Sequence, residues 1–271
     1  MSQTFLAAAI QLAAGSDRAA NFAAAADLAR AATSRGAELI VLPEMFIWRG
    51  AADGEAAAAE AIPGPTTERL AALARELGVV LVGGSLLERV AGERKAYNTC
   101  TVYGRDGALL ARYRKVHLFD VDITGHVTHR ESDTRLPGDA TVTVPTDLGV
   151  LGLSVCYDLR FPELYRRLAT AGAEIICVPS AFTFPTGAHH WEILLRARAI
   201  ENLAYVVAPN QIGRSLSGLQ DFGHSLIVDP WGTPVARASN QPMAITAEID
   251  RDYLARVRRE LPALEHRRLG D

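Results

Sequence analysis

Short apolar runs recur along the whole chain, and helix-like stretches lie between several of them. Runs of this length, separated by helical patterns, are typical of α/β proteins. We expect strands within FLAAAIQLA, AELIVLPEM, GVVLVGGSL, YNTCTVYG, ALLARYRKVHL, GVLGLSVCYD, AEIICVPSAF, LAYVVAPNQI, GHSLIVDP and MAITAEID. We expect helices over Arg18 to Arg35, Thr67 to Leu77, Pro162 to Ala171 and His190 to Asn202. The alternation therefore predicts an α/β fold.

One connection indicates that the strands do not all run parallel. The segment Gly104 to Gly107 joins two strand-like runs and has the composition of a hairpin turn, so we expect mixed sheets. The Ala-rich segment Gly50 to Pro65 predicts a short surface helix or lid that the Pro-Gly-Pro at its end would stop. No linker rich in Gly, Ser or Pro divides the sequence, so we expect one domain over residues 1–271.

Composition excludes several classes of function. Hydrophobic residues make up 49% of the chain and charged residues 22%, which is enough apolar material for a sizeable core. The formal net charge of -3 gives no reason to expect nucleic acid or an anionic membrane as a partner. No apolar run approaches the roughly 18 residues that cross a bilayer. The N-terminus also lacks the pattern of a secretory signal, so we expect a cytoplasmic protein.

The three cysteines fall into two kinds of position. Their odd number and lack of CxxC spacing argue against a disulfide framework or a thiolate zinc site. Cys100 and Cys177 lie inside strand-like runs, so we expect both in the core. Cys156 instead lies where a strand-like run gives way to polar residues and a Pro-initiated helix. That position suits a reactive group, although an isolated cysteine is commonly inert core.

Glu44 and Lys115 follow apolar runs in the same way as Cys156. A cysteine nucleophile needs a proton acceptor or a positive neighbour, and no papain-type sequence supplies a histidine here. A cysteine, a glutamate and a lysine could supply the nucleophile, the proton shuttle and the oxyanion stabiliser of amide hydrolysis. Taken singly, Glu44 could cap the next segment and Lys115 could be a solvated strand end.

The segments LPEMF, YRKVHLFD and CYDLRFPEL resemble the three signature motifs of the nitrilase superfamily of carbon–nitrogen hydrolases. The likeness extends in order through RLPGD, GAEIICVPSAF, HWEILLRARAIEN and GHSLIVDPWG. It implies a four-layer α-β-β-α sandwich with two mixed sheets, paired through its helices into a homodimer or a higher homo-oligomer. It also implies hydrolysis without a metal or an organic cofactor.

The resemblance assigns roles to five residues. Cys156 becomes the nucleophile, Glu44 the general base and acid, and Lys115 the oxyanion stabiliser together with the backbone N–H of Tyr157. Glu131, in HRESDTRLPGD, matches a second glutamate that positions Lys115 or the substrate; otherwise it would be a solvent-exposed loop carboxylate. We expect Cys156 to attack an amide as a thiolate favoured by the Lys115 ammonium, giving a thioester that water hydrolyses.

Arg160 indicates the substrate, because a guanidinium four residues after the nucleophile suits a carboxylate. Alternatively, it pairs with Asp158 or Glu163. The sequence looks most like the branch containing deaminated glutathione amidase and ω-amidase, in which Phe182 and Thr186 would line the pocket. We therefore expect a carboxylate-bearing amide, deaminated glutathione or an ω-amide of an α-keto acid. The alternatives are an N-carbamoyl amino acid amidohydrolase and a non-catalytic scaffold of the same fold.

Two segments depart from that branch, Ala188-His189 and Ile212 to Phe222, and both are expected to border the pocket. Histidines 126, 129, 189 and 190 show no ligand spacing with a third partner, so we expect no metal. We expect these histidines in helix packing and hydrogen bonding, with Glu192 as a candidate to orient Lys115 or Glu44.

Overall fold

Two mixed β-sheets pack face to face in the computed structural model, which describes residues 4–216 and 218–269. The first sheet contains β1 (Thr4–Gln11), β2 (Ala37–Val41), β3 (Val80–Glu88), β4 (Ala96–Tyr103), β5 (Leu109–Arg114), β8 (Arg135–Leu136) and β17 (Met243–Asp250). The second contains β9 (Thr143–Thr146), β10 (Gly149–Leu153), β11 (Ile175–Cys177), β12 (Tyr205–Ala208), β15 (Leu226–Val228) and β16 (Pro234–Arg237).

Each sheet has three parallel strands with antiparallel strands on either side of them. The first sheet has the order β17-β1-β2-β3-β4-β5, with β1, β2 and β3 parallel and β8 beside β4. The second has the order β16-β15-β12-β11-β10-β9, with β10, β11 and β12 parallel. Chemical groups that follow parallel strands meet at one sheet edge, so this topology determines where a site can form.

Helices cover the outer face of each sheet. They are α1 (Arg18–Thr33), α2 (Glu55–Ala58), α3 (Pro65–Leu77), α4 (Pro162–Thr170), α5 (Phe184–Asn202) and α6 (Arg251–Glu260). Helices α1 and α3 pack on the first sheet, and α4 and α5 pack on the second. The four layers confirm the predicted α-β-β-α sandwich with two mixed sheets.

The predicted helices form with small differences at their ends. Helix α1 begins at Arg18 because the Asp17 side chain accepts hydrogen bonds from two N–H groups of the first turn, at 2.9 and 3.0 Å. The expected start of α5 at His190 was wrong, since the helix begins at Phe184 with Pro185 in its first turn. The Ala-rich segment forms a 3-10 turn, Ala52–Gly54, and the single turn α2.

The main core lies between the sheets. Cys100 on β4 and Cys177 on β11 are both fully buried in it, as predicted. Burial raises the pKa of Cys177 to about 12, which makes its thiol unreactive at neutral pH.

Two hairpins and one tight turn complete the chain. The predicted turn at Gly104 to Gly107 joins β4 to β5, and its Gly104 N–H donates to Ala108 O at 2.9 Å. The first hairpin pairs β6 (Asp120–Ile123) with β7 (Val127–Arg130), and the second pairs β13 (Ile212–Arg214) with β14 (Gln220–Phe222). In the described ranges, no helix is both long and apolar enough to cross a membrane.

Candidate active site

A cavity of about 230 Å³ opens where the two groups of parallel strands end. Glu44 lies three residues beyond β2, Lys115 directly follows β5, and Cys156 lies three residues beyond β10. The five residues to which the resemblance gave catalytic roles all line this cavity: Glu44, Lys115, Glu131, Cys156 and Tyr157. The structure therefore brings together residues that are up to 113 positions apart in the sequence, Glu44 and Tyr157 being the most distant pair.

Glu44 is held on a strained turn. Met45, the next residue, has a φ of 52°, and its N–H donates to Ser85 Oγ at 3.0 Å. The Gln211 side chain donates to the carbonyl of Glu44 at 2.9 Å. Gly84 passes so close that a Cβ there would lie 2.2 Å from Pro43 O, so this approach requires glycine. These contacts aim the Glu44 carboxylate into the cavity.

Lys115 is a buried ammonium shared between two carboxylates. Its Nζ donates to Glu44 Oε1 at 3.0 Å and to Glu131 Oε2 at 2.8 Å. Burial lowers the pKa of Lys115, but the charges of Glu131 and Glu44 outweigh burial and raise it. An ammonium has three N–H donors, so one stays available for a substrate oxygen.

Glu131 begins the 3-10 turn Glu131–Asp133, and it is buried rather than solvent-exposed. Its Oε2 accepts from the Phe119 N–H at 2.7 Å as well as from Lys115, and its Oε1 accepts from Arg135. Burial raises the pKa of Glu131, but Lys115 and Arg135 outweigh burial and lower it. Glu131 is therefore a carboxylate at neutral pH.

Cys156 begins the 3-10 turn Cys156–Arg160 with a φ of 49°, an unusual value for a residue with a side chain. Its N–H donates to Pro179 O at 2.9 Å. The buried Asp158 secures the turn, since its Oδ2 accepts from Val155 N–H at 2.8 Å and from Tyr113 OH at 2.7 Å. This elbow presents the thiol to Glu44 and Lys115.

Cys156 carries its proton at neutral pH. Burial and the neighbouring Glu44 carboxylate raise the pKa of Cys156 well above its ordinary value, and Lys115 and the Ala181 N–H offset them only in part. The reason is that Lys115 already serves two carboxylates. The group is a thiol at neutral pH, so a base would have to remove its proton before the sulfur could act as a nucleophile.

The three residues predicted to bind substrate, Arg160, Phe182 and Thr186, also line the cavity. Arg160 pairs with neither Asp158 nor Glu163; its guanidinium lies 3.3 Å from His190 Nδ1 and 5.1 Å from the centre of the Phe182 ring. Burial lowers the pKa of Arg160 from its ordinary value. A half-buried guanidinium without a carboxylate partner among the described residues favours an anionic ligand.

The expected role of Glu192 in orienting Lys115 or Glu44 is wrong. Glu192 does not reach Lys115 or Glu44 but pairs with Arg237 at 2.9 Å, because it faces away from the cavity on α5. His189 is exposed on the same helix. Within 4–216 and 218–269, no group of three or more His, Cys, Asp or Glu side chains could hold a metal ion.

Two sets of contacts around the site were not expected from the sequence. Asn98, a lone amide in an apolar run, donates to Glu44 at 2.8 Å and to Glu131 at 3.3 Å. Arg49 pairs with Asp221 at 2.8 Å and so joins the wall after Glu44 to the segment Ile212 to Phe222. The polar residue inside a buried strand was a usable signal, whereas nothing local indicated the Arg49 pair.

The comparisons with known proteins agree with this geometry. The sequence model described as carbon-nitrogen hydrolase matches residues 6–259. The chain belongs to the carbon–nitrogen hydrolase family. It is 40% identical to omega-amidase NIT2 of Mus musculus over 265 residues, covering 98% of this chain and 95% of that protein. It is 44% identical to a deaminated glutathione amidase of Synechocystis sp. over 266 residues, covering 97% and 98% of the two chains.

Solved structures support the same family. The Saccharomyces cerevisiae protein Nit3, a member of branch 10 of the nitrilase superfamily, superposes with a TM-score of 0.90 at 34% identity, covering 99% of this chain and 98% of that one. The C. elegans NitFhit protein gives 0.92 at 39% identity, covering 98% of this carbon–nitrogen hydrolase but only 65% of the NitFhit chain. The predicted fold and enzyme class, a hydrolase of non-peptide C–N bonds in the nitrilase superfamily, are confirmed.

Iodoacetamide should modify Cys156 alone in the folded enzyme, because Cys156 lines the cavity and Cys100 and Cys177 are fully buried. The rate should keep rising with pH beyond about 8.5, the ordinary thiol pKa, since burial and Glu44 hold the proton on sulfur. Peptide mass mapping at several pH values measures this rate. Cys156→Ala is the control, and a rate that levels off below pH 7 would contradict the assignment of a resting thiol.

Proposed function

We propose that this hydrolase is an amidase that cleaves a small amide carrying a carboxylate, through a thioester on Cys156. One observation supports a substrate that carries a carboxylate. The other cations of the cavity, Arg49, Lys115 and Arg135, each have a carboxylate partner, whereas Arg160 has none within the described residues. A carboxylate on the substrate would supply the missing negative charge.

In the first step, Glu44 accepts the Cys156 thiol proton while the sulfur forms a bond to the amide carbon. The carbonyl π electrons move to oxygen, giving a tetrahedral oxyanion. The remaining N–H of Lys115 and the backbone N–H of Tyr157 donate to that oxyanion. Because Lys115 is held by two carboxylates before substrate arrives, little reorganisation accompanies this step.

In the second step, Glu44 gives its proton to the amide nitrogen, the C–N bond breaks, and ammonia or an amine leaves. The acyl group stays on Cys156 as a thioester. Glu44 then takes a proton from water, which attacks the thioester, and the proton returns to sulfur as the carboxylic acid is released. Over the whole cycle, Glu44 carries every proton and one water molecule is consumed.

The names of the relatives favour particular amides within this substrate class. Proteins named omega-amidase and deaminated glutathione amidase cover nearly the whole of this chain. We therefore place deaminated glutathione and ω-amides of α-keto acids first among its substrates. An N-carbamoyl amino acid also carries a carboxylate, so it remains the alternative that an assay must compare.

Glu44→Gln and Lys115→Ala should each lower kcat by about 10²-fold or more, since the first removes the proton shuttle and the second an oxyanion donor. Stopped assays of amine release measure kcat. Cys177→Ala, which removes a buried thiol outside the cavity, is the matched control and should keep kcat near that of the wild type. A normal kcat with only KM changed in either variant would make its role wrong.

Arg160→Lys keeps the charge and loses the planar fork, whereas Arg160→Leu loses both. For deaminated glutathione or an ω-amide of a keto acid, kcat/KM should fall from wild type to Lys to Leu. The difference in kcat/KM between Arg160→Lys and Arg160→Leu should correspond to the loss of a charge-assisted hydrogen bond of about 1.5–3 kcal/mol.

A neutral amide of the same length is the control substrate, and it should respond little to either change at Arg160. Equal losses on both substrates would show that Arg160 is structural and would remove the support for a carboxylate. Faster turnover of an N-carbamoyl amino acid by the wild type would favour the ureide alternative.

We also propose that two copies pair through the exposed face of α5. Ile193 is 68% exposed and Ile200 46%, and Ile200 packs beside Gly232, next to the 58% exposed Trp231. Contiguous exposed apolar side chains of this size favour a protein interface. Light scattering should give twice the 29.1 kDa chain mass, and Ile193→Asp should reduce it to one chain. A monomeric wild type would contradict this proposal.

A further inference from the structure

Arg135 connects the lid segment to the centre of the site. Its guanidinium donates to Glu55 at 2.6 Å through Nη2 and at 3.2 Å through Nε, while Nη1 donates to Glu131. Thr134 Oγ1 donates to the same Glu55 carboxylate at 2.7 Å. Only 11% of the Arg135 side chain and 12% of the Glu55 side chain are exposed. Glu55 begins α2, in the Ala-rich lid segment Gly50 to Pro65, which the sequence predicts as a short surface helix or lid.

These contacts extend the catalytic centre into a row of five alternating charges. The order is Glu44, Lys115, Glu131, Arg135 and Glu55, and each cation lies between two carboxylates. In a buried row of this kind, removing one member leaves its neighbours with uncompensated charge. A substitution of Arg135 should therefore change the position and the electrostatic surroundings of the Lys115 ammonium.

The contact with Arg135 determines which carboxylate oxygen of Glu131 accepts a hydrogen bond from Lys115. With Arg135 on Oε1, Glu131 presents Oε2 to Lys115 and to the Phe119 N–H, and Lys115 keeps one N–H for the substrate. We propose that Arg135 is a positioning residue of this amidase and that Glu55 holds Arg135 in place, which makes the lid segment part of the catalytic network. The inference rests on the proposed roles of Lys115 and Glu131.

The two ends of this ion pair act on Glu131 with opposite sign. Arg135 lowers the pKa of Glu131, so its loss favours the protonated acid, which no longer holds Lys115 as a charge. The negative charge of Glu55 lies on the far side of Arg135, and its loss favours the Glu131 carboxylate. Hence a neutral residue at position 135 and one at position 55 should shift the acid side of the pH profile in opposite directions.

Other charged or titratable groups also face Glu131 from the elements around it. They are Glu44 after β2, Lys115 after β5, Asp120 on β6, His129 on β7 and Cys156 after β10. Because both substitutions leave these groups in place, the opposite shifts report on Arg135 and Glu55. A general loss of packing would give shifts of one sign.

The experiment compares Arg135→Gln, Arg135→Lys and Glu55→Gln with the wild type, using kcat and KM from pH 4.5 to 9 on an ω-amide of a keto acid. The matched control is Arg251→Gln, which breaks another partly buried Arg–Glu pair, with Glu174 at 3.0 Å, outside the cavity. Thermal unfolding of each variant shows how much folded protein is assayed.

Arg135→Gln should move the acid midpoint of kcat to higher pH, because Glu131 loses the cation that favours its carboxylate form. It should lower kcat at pH 7 about tenfold through the misplaced Lys115, with little change in KM. Arg135→Lys should recover most of the midpoint, and Glu55→Gln should leave it unchanged or lower it. Arg251→Gln should affect the unfolding temperature and neither kinetic constant.

The inference is overturned if Arg135→Gln keeps the wild-type kcat and acid midpoint, or if Glu55→Gln raises that midpoint as well. If Arg135→Gln does not fold, Arg135→Lys and Glu55→Gln are compared with the wild type instead. An acid midpoint of Glu55→Gln above that of the wild type then overturns the inference. A wild type inert to every amide tested, with Cys156 still alkylated, would instead contradict the proposed substrate. In that case the pH dependence of Cys156 alkylation in the same variants tests the row of charges directly, with no change in Arg135→Gln as the contradicting result.

Discussion

The arrangement of the proposed active site depends on the buried ammonium of Lys115. A charge removed from water in this way is stable only with close partners, and losing one partner of a buried pair costs about 3–5 kcal/mol. Glu44 and Glu131 provide those partners at 3.0 and 2.8 Å. The folded state therefore requires the end of β2, the end of β5 and the turn at Glu131 to meet at one place.

Strained backbone at two elbows completes the arrangement. Met45 and Cys156 have φ values of 52° and 49°, and each lies in a turn fixed by hydrogen bonds from distant segments. Asp158 secures the second elbow through Val155 N–H and Tyr113 OH. Backbone strain of this kind persists only where the surrounding contacts hold it, and here those contacts place the thiol beside the Glu44 carboxylate.

Apolar periodicity predicted the α/β alternation and the residues at strand ends, because that pattern is local, whereas the four layers followed from the family resemblance of the ordered motifs. The sequence could not predict contacts between distant residues. Glu55 and Arg135 are 80 positions apart, and Glu44 and Asn98 are 54 apart, so no window contains both partners. Glu192 has an acidic side chain in a family motif, but only the packing of α5 shows that it faces away.

The central claim is that the acyl group is carried by Cys156, and intact-protein mass spectrometry of the rapidly quenched reaction tests it most directly. With an ω-amide of a keto acid in excess, the account predicts an added mass equal to the acyl group, located by peptide mapping on Cys156 and absent from Cys100 and Cys177. The adduct should disappear at the rate of product formation. Steady turnover in which Cys156 never gains mass at any quench time, or an adduct on another residue, would contradict the account.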